Sequence, residues 1–184
     1  MEKRVNYKIG ISGRLRSGKD TVAKMFIALF QSHGIEMSRA GLAEPIYEEA
    51  KSFYVKNGLV WRKNRRLLEG IGGAFNDDYP KGDKLLEIFN NTYANSSANI
   101  VVPDVRRMKQ ADWFIKKGFP VIRVVSDKKI RKDRCKPGEF QEGHSSDFEM
   151  DKYKKFTYSI CNEGGIEDLY TSVKGIFEKI FNEK

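Results

Sequence analysis

The chain has 184 residues, 40% of them hydrophobic and 32% charged, a balance that predicts one soluble globular domain. No apolar run approaches the roughly 20 residues of a spanning helix, and two cysteines with two unclustered histidines make neither a disulfide framework nor a zinc set. The formal net charge of +9 points to anionic partners, among which nucleotides, nucleic acid and a membrane surface are not separated by charge alone.

Tyr7 to Ser12 (YKIGIS) predicts a strand, reached from Met1 without an apolar signal core, so a cytoplasmic protein is expected. The stretch GRLRSGKDT follows, Gly13 to Thr21, and then Val22, Met25, Phe26, Leu29 and Phe30 recur at helical spacing from Gly18 to Gln31. Glu36 to Ala43 is a second strand, and Glu44-Pro45-Ile46 opens a helix with proline early in it. Residues 61–97 are polar and helical in pieces, first Arg65 to Gly73 and then Asp83 to Tyr93.

Ile100-Val101-Val102 is a third strand, closed by Pro103-Asp104 and followed by a helix with Val105, Met108, Ala111, Phe114 and Ile115 inward. Phe119 to Val125 is a fourth strand, followed by the basic segment Lys128 to Lys136, and Phe156 to Cys161 is a fifth. The last helix places Ile166, Leu169, Tyr170, Val173, Ile176, Phe177, Ile180 and Phe181 on one face. Strands alternating with helices predict an α/β fold, a parallel sheet covered on both sides with ligands beyond the carboxyl ends of its strands.

GRLRSGKDT has the glycine and lysine spacing of a phosphate-binding P-loop, set between a strand and a helix as such a loop must be. Backbone N–H groups and the helix dipole would converge on a phosphate there, with Lys19 reaching the β- and γ-phosphates. The usual hydroxyl after the lysine, a magnesium ligand, is replaced by Asp20. A carboxylate so close to a triphosphate repels it unless a divalent cation lies between, so Asp20 is expected to be a Mg²⁺ ligand. Thr21 lies about 100° further round the helix and suits a more internal phosphate. The competing reading, a chance glycine turn with Asp20 as a first-turn acid, is disfavoured by the strand and helix on either side.

The loop resembles that of the phage-type deoxynucleoside monophosphate kinases, in which GKD followed by Thr is characteristic. The resemblance continues at Asp104-Val105-Arg106-Arg107, Leu67-Leu68-Glu69-Gly70-Ile71-Gly72, Leu42-Ala43-Glu44-Pro45, His144-Ser145-Ser146-Asp147 and Asn162-Glu163-Gly164-Gly165. VVPDVRRMKQADWF is also similar to the animal-type phosphomevalonate kinases. The resemblance implies a P-loop three-layer α/β/α domain over residues 1–184 with five parallel strands, an acceptor-binding region at about 44–97 and a lid at about 127–147. The activity implied is ATP- and Mg²⁺-dependent phosphorylation of a deoxynucleoside monophosphate, with phosphomevalonate as the alternative acceptor.

The site expected on these grounds holds ATP on Gly13, Arg14, Arg16, Ser17, Gly18, Lys19, Asp20 and Thr21. The metal falls to Asp20 and Asp104, and the acceptor to Glu44, Arg65, Arg66 and Arg106. Phosphoryl transfer to an anionic acceptor needs positioning and charge neutralisation more than proton chemistry. Lys19, Asp104, Arg106, Arg131 and Arg134 are therefore the expected catalytic set, the last two by resemblance as lid arginines. An N-cap role for Asp104 is compatible with its catalytic one. Arg14 and Arg16 are expected to take over an acceptor contact that relatives make from the position of Leu15. Trp61, Phe75, Tyr79 and Trp113 are candidates for stacking on an acceptor base, with core packing favoured for Trp113. Nucleic-acid binding is the reading from another class, disfavoured because the basic residues gather at the expected phosphate site and no RNP, zinc-finger or basic-zipper signature is recognisable. A P-loop protein that only binds nucleotide is a further alternative.

Overall fold

The computed structural model describes residues 6–77, 83–138, 140 and 148–183. They divide into two compact units, one formed by Met1–Ala40 with Ser97–Lys184, the other by Gly41–Ser96. In the first, β1 (Lys8–Gly13), β2 (Ser38–Arg39), β3 (Ile100–Val102), β4 (Val121–Val125) and β5 (Tyr158–Cys161) alternate with helices α1 (Lys19–Ser32), α5 (Met108–Lys116), α6 (Lys128–Asp133) and α7 (Ile166–Asn182). The second holds α2 (Glu44–Lys56), α3 (Arg65–Asp77) and α4 (Lys84–Tyr93).

The sheet order is β2-β3-β1-β4-β5 and every pair is parallel. The central strand β1 is buried along almost its whole length, as a strand covered on both faces should be. Its side chains alternate between two helical layers. Ile9 and Ile11 join a core with Phe26 and Phe30 of α1 and Val173 and Phe177 of α7. At Gly10 the opposite face meets Val105 and Phe114, the latter on α5. Helices therefore lie on both sides of a five-stranded parallel sheet. Because all strands point the same way, the ends of β1, β3, β4 and β5 deliver Gly13, Asp104, Ser126 and Asn162 to one edge.

Several elements differ from the sequence expectation. β2 pairs through Ser38 and Arg39 alone, because the chain turns at Gly41, whose N–H donates to Glu44 Oε1. Phe119 and Pro120 fall outside β4, although the Pro120 carbonyl still accepts from the Gly10 N–H. Val105 precedes α5 and Met108 is half-buried. On α7 the buried stripe runs Leu169, Val173, Ile176, Phe177, Ile180, whereas Ile166 and Tyr170 are 61% and 44% exposed. In the second unit Asp83 caps α4, its Oδ1 accepting from the Leu86 N–H at 2.9 Å. No helix among the described residues is long and apolar enough to cross a membrane.

Phe30 is fully buried, edge-on to Phe177 at 4.9 Å between centroids and tilted against Tyr7 at 4.7 Å. Phe30→Ala is expected to cost roughly 3–5 kcal/mol of stability through the cavity it leaves. Urea unfolding of the two proteins measures it.

Candidate active site

Where β1 ends, the chain makes the turn that GRLRSGKDT predicts and enters α1 at Lys19. Two glycines are required sterically. A Cβ on Gly13 would come within 2.5 Å of both Ser17 Oγ and the Val124 carbonyl. Gly18 has φ +100°, and a Cβ there would strike the Asn162 amide nitrogen. Arg16 also takes a left-handed backbone, φ 58°, which for a residue with a Cβ carries strain of about 1–3 kcal/mol. The surroundings hold it in place.

Those surroundings act on the loop's carbonyls. Leu15 O accepts from Arg131 at 3.4 Å, Arg16 O from Arg134 at 3.5 Å, and Ser17 O from Asn162 Nδ2 at 2.8 Å. Arg134 also donates to the Asn162 carbonyl at 3.1 Å and to Ser126 Oγ at 3.3 Å. The peptide unit is planar and trans, so a carbonyl turned one way turns the next N–H the other way. The N–H groups of Arg16 and Gly18 are thus aimed away from the braces. Ser17 N–H closes the turn on Arg14 O at 3.1 Å. With the opening N–H groups of α1, which lack partners within a helix, this is the arrangement that receives a phosphate. Lys19 Nζ rests on the Arg14 carbonyl at 2.9 Å.

Asp20 is 72% exposed and meets Arg39 at 3.2 Å. An ion pair this open is worth about 0–1 kcal/mol, so the carboxylate is available to a harder cation at little cost. Magnesium commonly takes one or two protein carboxylates and completes its shell with water and phosphate oxygens. Asp20 beside the phosphate loop fits that donor set. Among the described residues no group of three or more His, Cys, Asp or Glu forms a cage that would hold a metal without the nucleotide. Asp104 follows β3 and is half-buried. The segment after it is fixed by Gln110, whose Oε1 accepts from the Arg106 and Arg107 N–H groups at 2.9 and 3.2 Å, leaving the Arg106 side chain exposed.

Arg131 and Arg134 share the sheet edge with the loop. Arg131 is only 3% exposed and donates to Ser126 O as well as Leu15 O, so its guanidinium is engaged from below the loop rather than displayed on a surface. Residues 141–147 of the expected lid, with His144 and Asp147, lie outside the described residues, as does Tyr79. Thr21, half-buried, stands in the first turn of α1.

The other expected positions belong to the second unit. Arg65 pairs with Glu69 one turn on, at 2.7 Å, and Arg66 is exposed. The Glu44 carboxylate accepts from Gly41 N–H at the start of α2. Within this unit lies a cavity of about 670 Å³, lined by Phe53, Leu67, Ile71 and Phe75 together with Glu49 and Lys84. Phe75 is thereby placed at an apolar pocket, while Trp61 packs edge-on to Tyr54. In the first unit Trp113 packs edge-on to Phe114.

Two charged residues that the sequence reading passed over stand beside the loop. Arg123, on β4 and 8% exposed, donates to Ser12 Oγ at 3.0 Å and pairs with Asp151, which also pairs with Arg14. Burial pulls the Arg123 pKa below its ordinary value, and the Asp151 charge works against that fall. A charge inside the apolar run VIRVV was the available signal. Asp151 had none.

No protein-family model matches the chain. It is 28% identical over 197 residues to the dephospho-CoA kinase of Aquifex aeolicus (strain VF5), spanning 94% of this chain and 97% of that one. Among solved structures it is similar to the shikimate kinase of Aquifex aeolicus, at 16% identity with a TM-score of 0.55 over 96% of this chain and 97% of the other. It is also similar to the Mycobacterium tuberculosis APS kinase CysC in complex with AMPPNP and APS, at 12% identity with a TM-score of 0.55 over 94% and 98%. The chain has the P-loop kinase fold.

Gly18→Ala is expected to weaken Mg-ATP binding by at least about tenfold, since it adds backbone strain and a clash with Asn162. Asn162→Ala, which leaves Ser17 O without its amide, is expected to act in the same direction, and titration calorimetry reads both. A separate expectation concerns pH. Tyr153 is buried and donates to Asp112 at 2.8 Å, and burial first, then that bond, pushes its pKa from 10.0 to about 12. The folded state holds this proton more tightly than the unfolded one, so the stability it represents is whole below the unfolded value and is lost as pH rises from 10.0 to about 12. Tyr153→Phe should flatten that alkaline decline in urea unfolding.

Proposed function

We propose that this chain is a kinase that transfers a phosphoryl group from Mg-ATP to a small phosphate monoester, with a deoxynucleoside monophosphate as the first candidate. The observation that carries the reading is the braced loop, whose carbonyls are held outward and whose lysine stands at its mouth. The P-loop kinase fold supports it, as does the GKD sequence with Asp20 in an open position.

Gly13, Ser17 and Gly18 shape the loop, and its N–H groups with Lys19 and Thr21 bind the phosphates of ATP. Asp20, with Asp104 just after β3, the strand paired with β1, would hold Mg²⁺, which supplies charge neutralisation at the β- and γ-phosphates when bound. Lys19 neutralises the transferred group from one side. Arg131 and Arg134 add positive charge from the α6 side, and a closing movement over the phosphates would require them to release Leu15 O and Arg16 O. Arg14, Arg16 and Arg106 face the acceptor's phosphate, for which a planar guanidinium suits bidentate contact. Asp104 would orient Arg106 or help hold the metal. In the second unit Glu44, Arg65 and Arg66 remain candidates for acceptor contact. The apolar cavity there, with one cation and one anion in its lining, suits a planar or aliphatic body carrying few polar groups.

A second reading takes dephospho-CoA as acceptor. It is favoured by the 28% identity to the Aquifex aeolicus dephospho-CoA kinase across nearly the whole of both chains. Phosphomevalonate is kept as a third acceptor on the resemblance at Asp104 to Phe114.

The deciding experiment is ADP release from Mg-ATP with each deoxynucleoside monophosphate, each ribonucleotide, dephospho-CoA and phosphomevalonate. Turnover with a deoxynucleotide is expected, reduced about 10²- to 10³-fold by Lys19→Ala and made far less sensitive to Mg²⁺ by Asp20→Ala. Turnover with dephospho-CoA alone transfers the assignment to the second reading. Mg-ATP binding without turnover of any acceptor would leave a nucleotide-binding protein and end the kinase proposal.

A further inference from the structure

We infer that Asp151 is a positioning residue for the phosphate loop, holding the Arg14 guanidinium so that it is presented to a phosphate oxygen of the bound substrates. The inference rests on the kinase reading for its ligand and on independent geometry for its cause.

Asp151 stands between two guanidiniums. One oxygen takes Arg123, which reaches back through Ser12 Oγ to β1, and the other takes Arg14 at the loop. A bidentate use of one carboxylate fixes the direction of both partners. Arg14 is further restrained by Phe148, whose ring lies under the guanidinium at 4.7 Å. Its main chain is the other end of the same device, since Arg14 O accepts from both Ser17 N–H and Lys19 Nζ. Fixing the Arg14 side chain therefore also bears on where the lysine rests.

A positioning residue must itself be held. The segment carrying Asp151 is anchored on either side by contacts that do not involve the loop. Glu149 Oε1 accepts from Met108 N–H at 2.8 Å, and Tyr153 donates to Asp112 at 2.8 Å, both partners being on α5. Met150 is buried between them. Asp151 thus transmits the rigid α5 face to a loop that has strained backbone at Arg16 and needs outside support. A surface ion pair without such anchorage would contribute little. Here the Arg123 partner is buried, so the carboxylate has a fixed seat whether or not substrate is present.

The test is a double-mutant cycle of Asp151→Asn and Arg14→Ala in the full chain, reading the Mg-ATP Kd by calorimetry and kcat and KM for whichever acceptor the wild-type protein turns over. Asp151→Asn is expected to raise the Mg-ATP Kd or the acceptor KM about tenfold, and to add nothing once Arg14→Ala is present. Asp151→Glu should recover part of the loss. Multiplying effects, or a lowered Tm with both constants unchanged, would show that Asp151 merely balances Arg123 and would overturn the inference. Should Asp151→Asn fail to fold because Arg123 is left unpaired, the cycle is run with Arg123→Met alongside it, which removes the buried charge while still releasing Arg14. If the wild-type protein binds Mg-ATP but phosphorylates nothing, the kinase reading falls and the Mg-ATP Kd alone decides: a loss in Asp151→Asn that vanishes on Arg14→Ala supports the inference, and an unchanged Kd overturns it. Failure of the wild-type protein to bind Mg-ATP would overturn both.

Discussion

Three carbonyl groups, those of Leu15, Arg16 and Ser17, are each held by a side chain from beyond another strand, and on the proposed reading this keeps them facing away from where a phosphate would bind. A nine-residue turn with two glycines has many accessible shapes, and in isolation its N–H groups would be distributed among them. Each brace removes some of that freedom. The braces come from Arg131 and Arg134 just after β4, and from Asn162 just after β5. That these residues meet the loop at all follows from the parallel sheet, which brings every strand's carboxyl end to the same edge.

Bracing with guanidinium groups imposes an electrostatic condition. Arg123 and Arg131 are both nearly buried, and a buried cation needs acceptors at close range to offset its lost hydration. The acceptors are two backbone carbonyls, the Ser12 hydroxyl and one carboxylate shared with Arg14, so positive charge is retained near the loop instead of being cancelled pair by pair. Part of the +9 of the chain is accordingly placed beside the glycine loop. It need not imply a general affinity for polyanions.

What could be read from the sequence was what depends on neighbours in the chain. The strand at Lys8–Gly13, the loop and α1 follow from local spacing, and the parallel α/β order follows from alternation of apolar runs with amphipathic ones. Contributions fixed by distant pairing were not legible. β2 looked eight residues long by composition, yet its pairing ends where the chain turns at Gly41, whose N–H donates to Glu44 Oε1. The basic run after β4 looked like an exposed surface or lid, because no local pattern tells which of its arginines turns inward; Arg131 does so to reach a carbonyl 116 positions earlier. Asp151 falls in an unremarkable polar stretch, and its use is visible from Arg14 and Arg123 alone. On α7, Ile166 and Tyr170 match the apolar period but sit where the helix has no layer opposite to cover them.

The dependence of Gly18 and Ser17 on Asn162 also has a temporal side. The glycine loop is synthesised before the residues that brace it, since Arg123, Arg131, Arg134 and Asn162 follow more than a hundred residues later. On the ribosome the emerging loop would carry the recognisable motif without its braced shape, because the groups that set the carbonyls do not yet exist. On the proposed reading, nucleotide would then stabilise the chain only once β5 has docked. Cellular ATP, abundant throughout synthesis, would act as a late check on a finished sheet and not as a nucleus for an unfinished one.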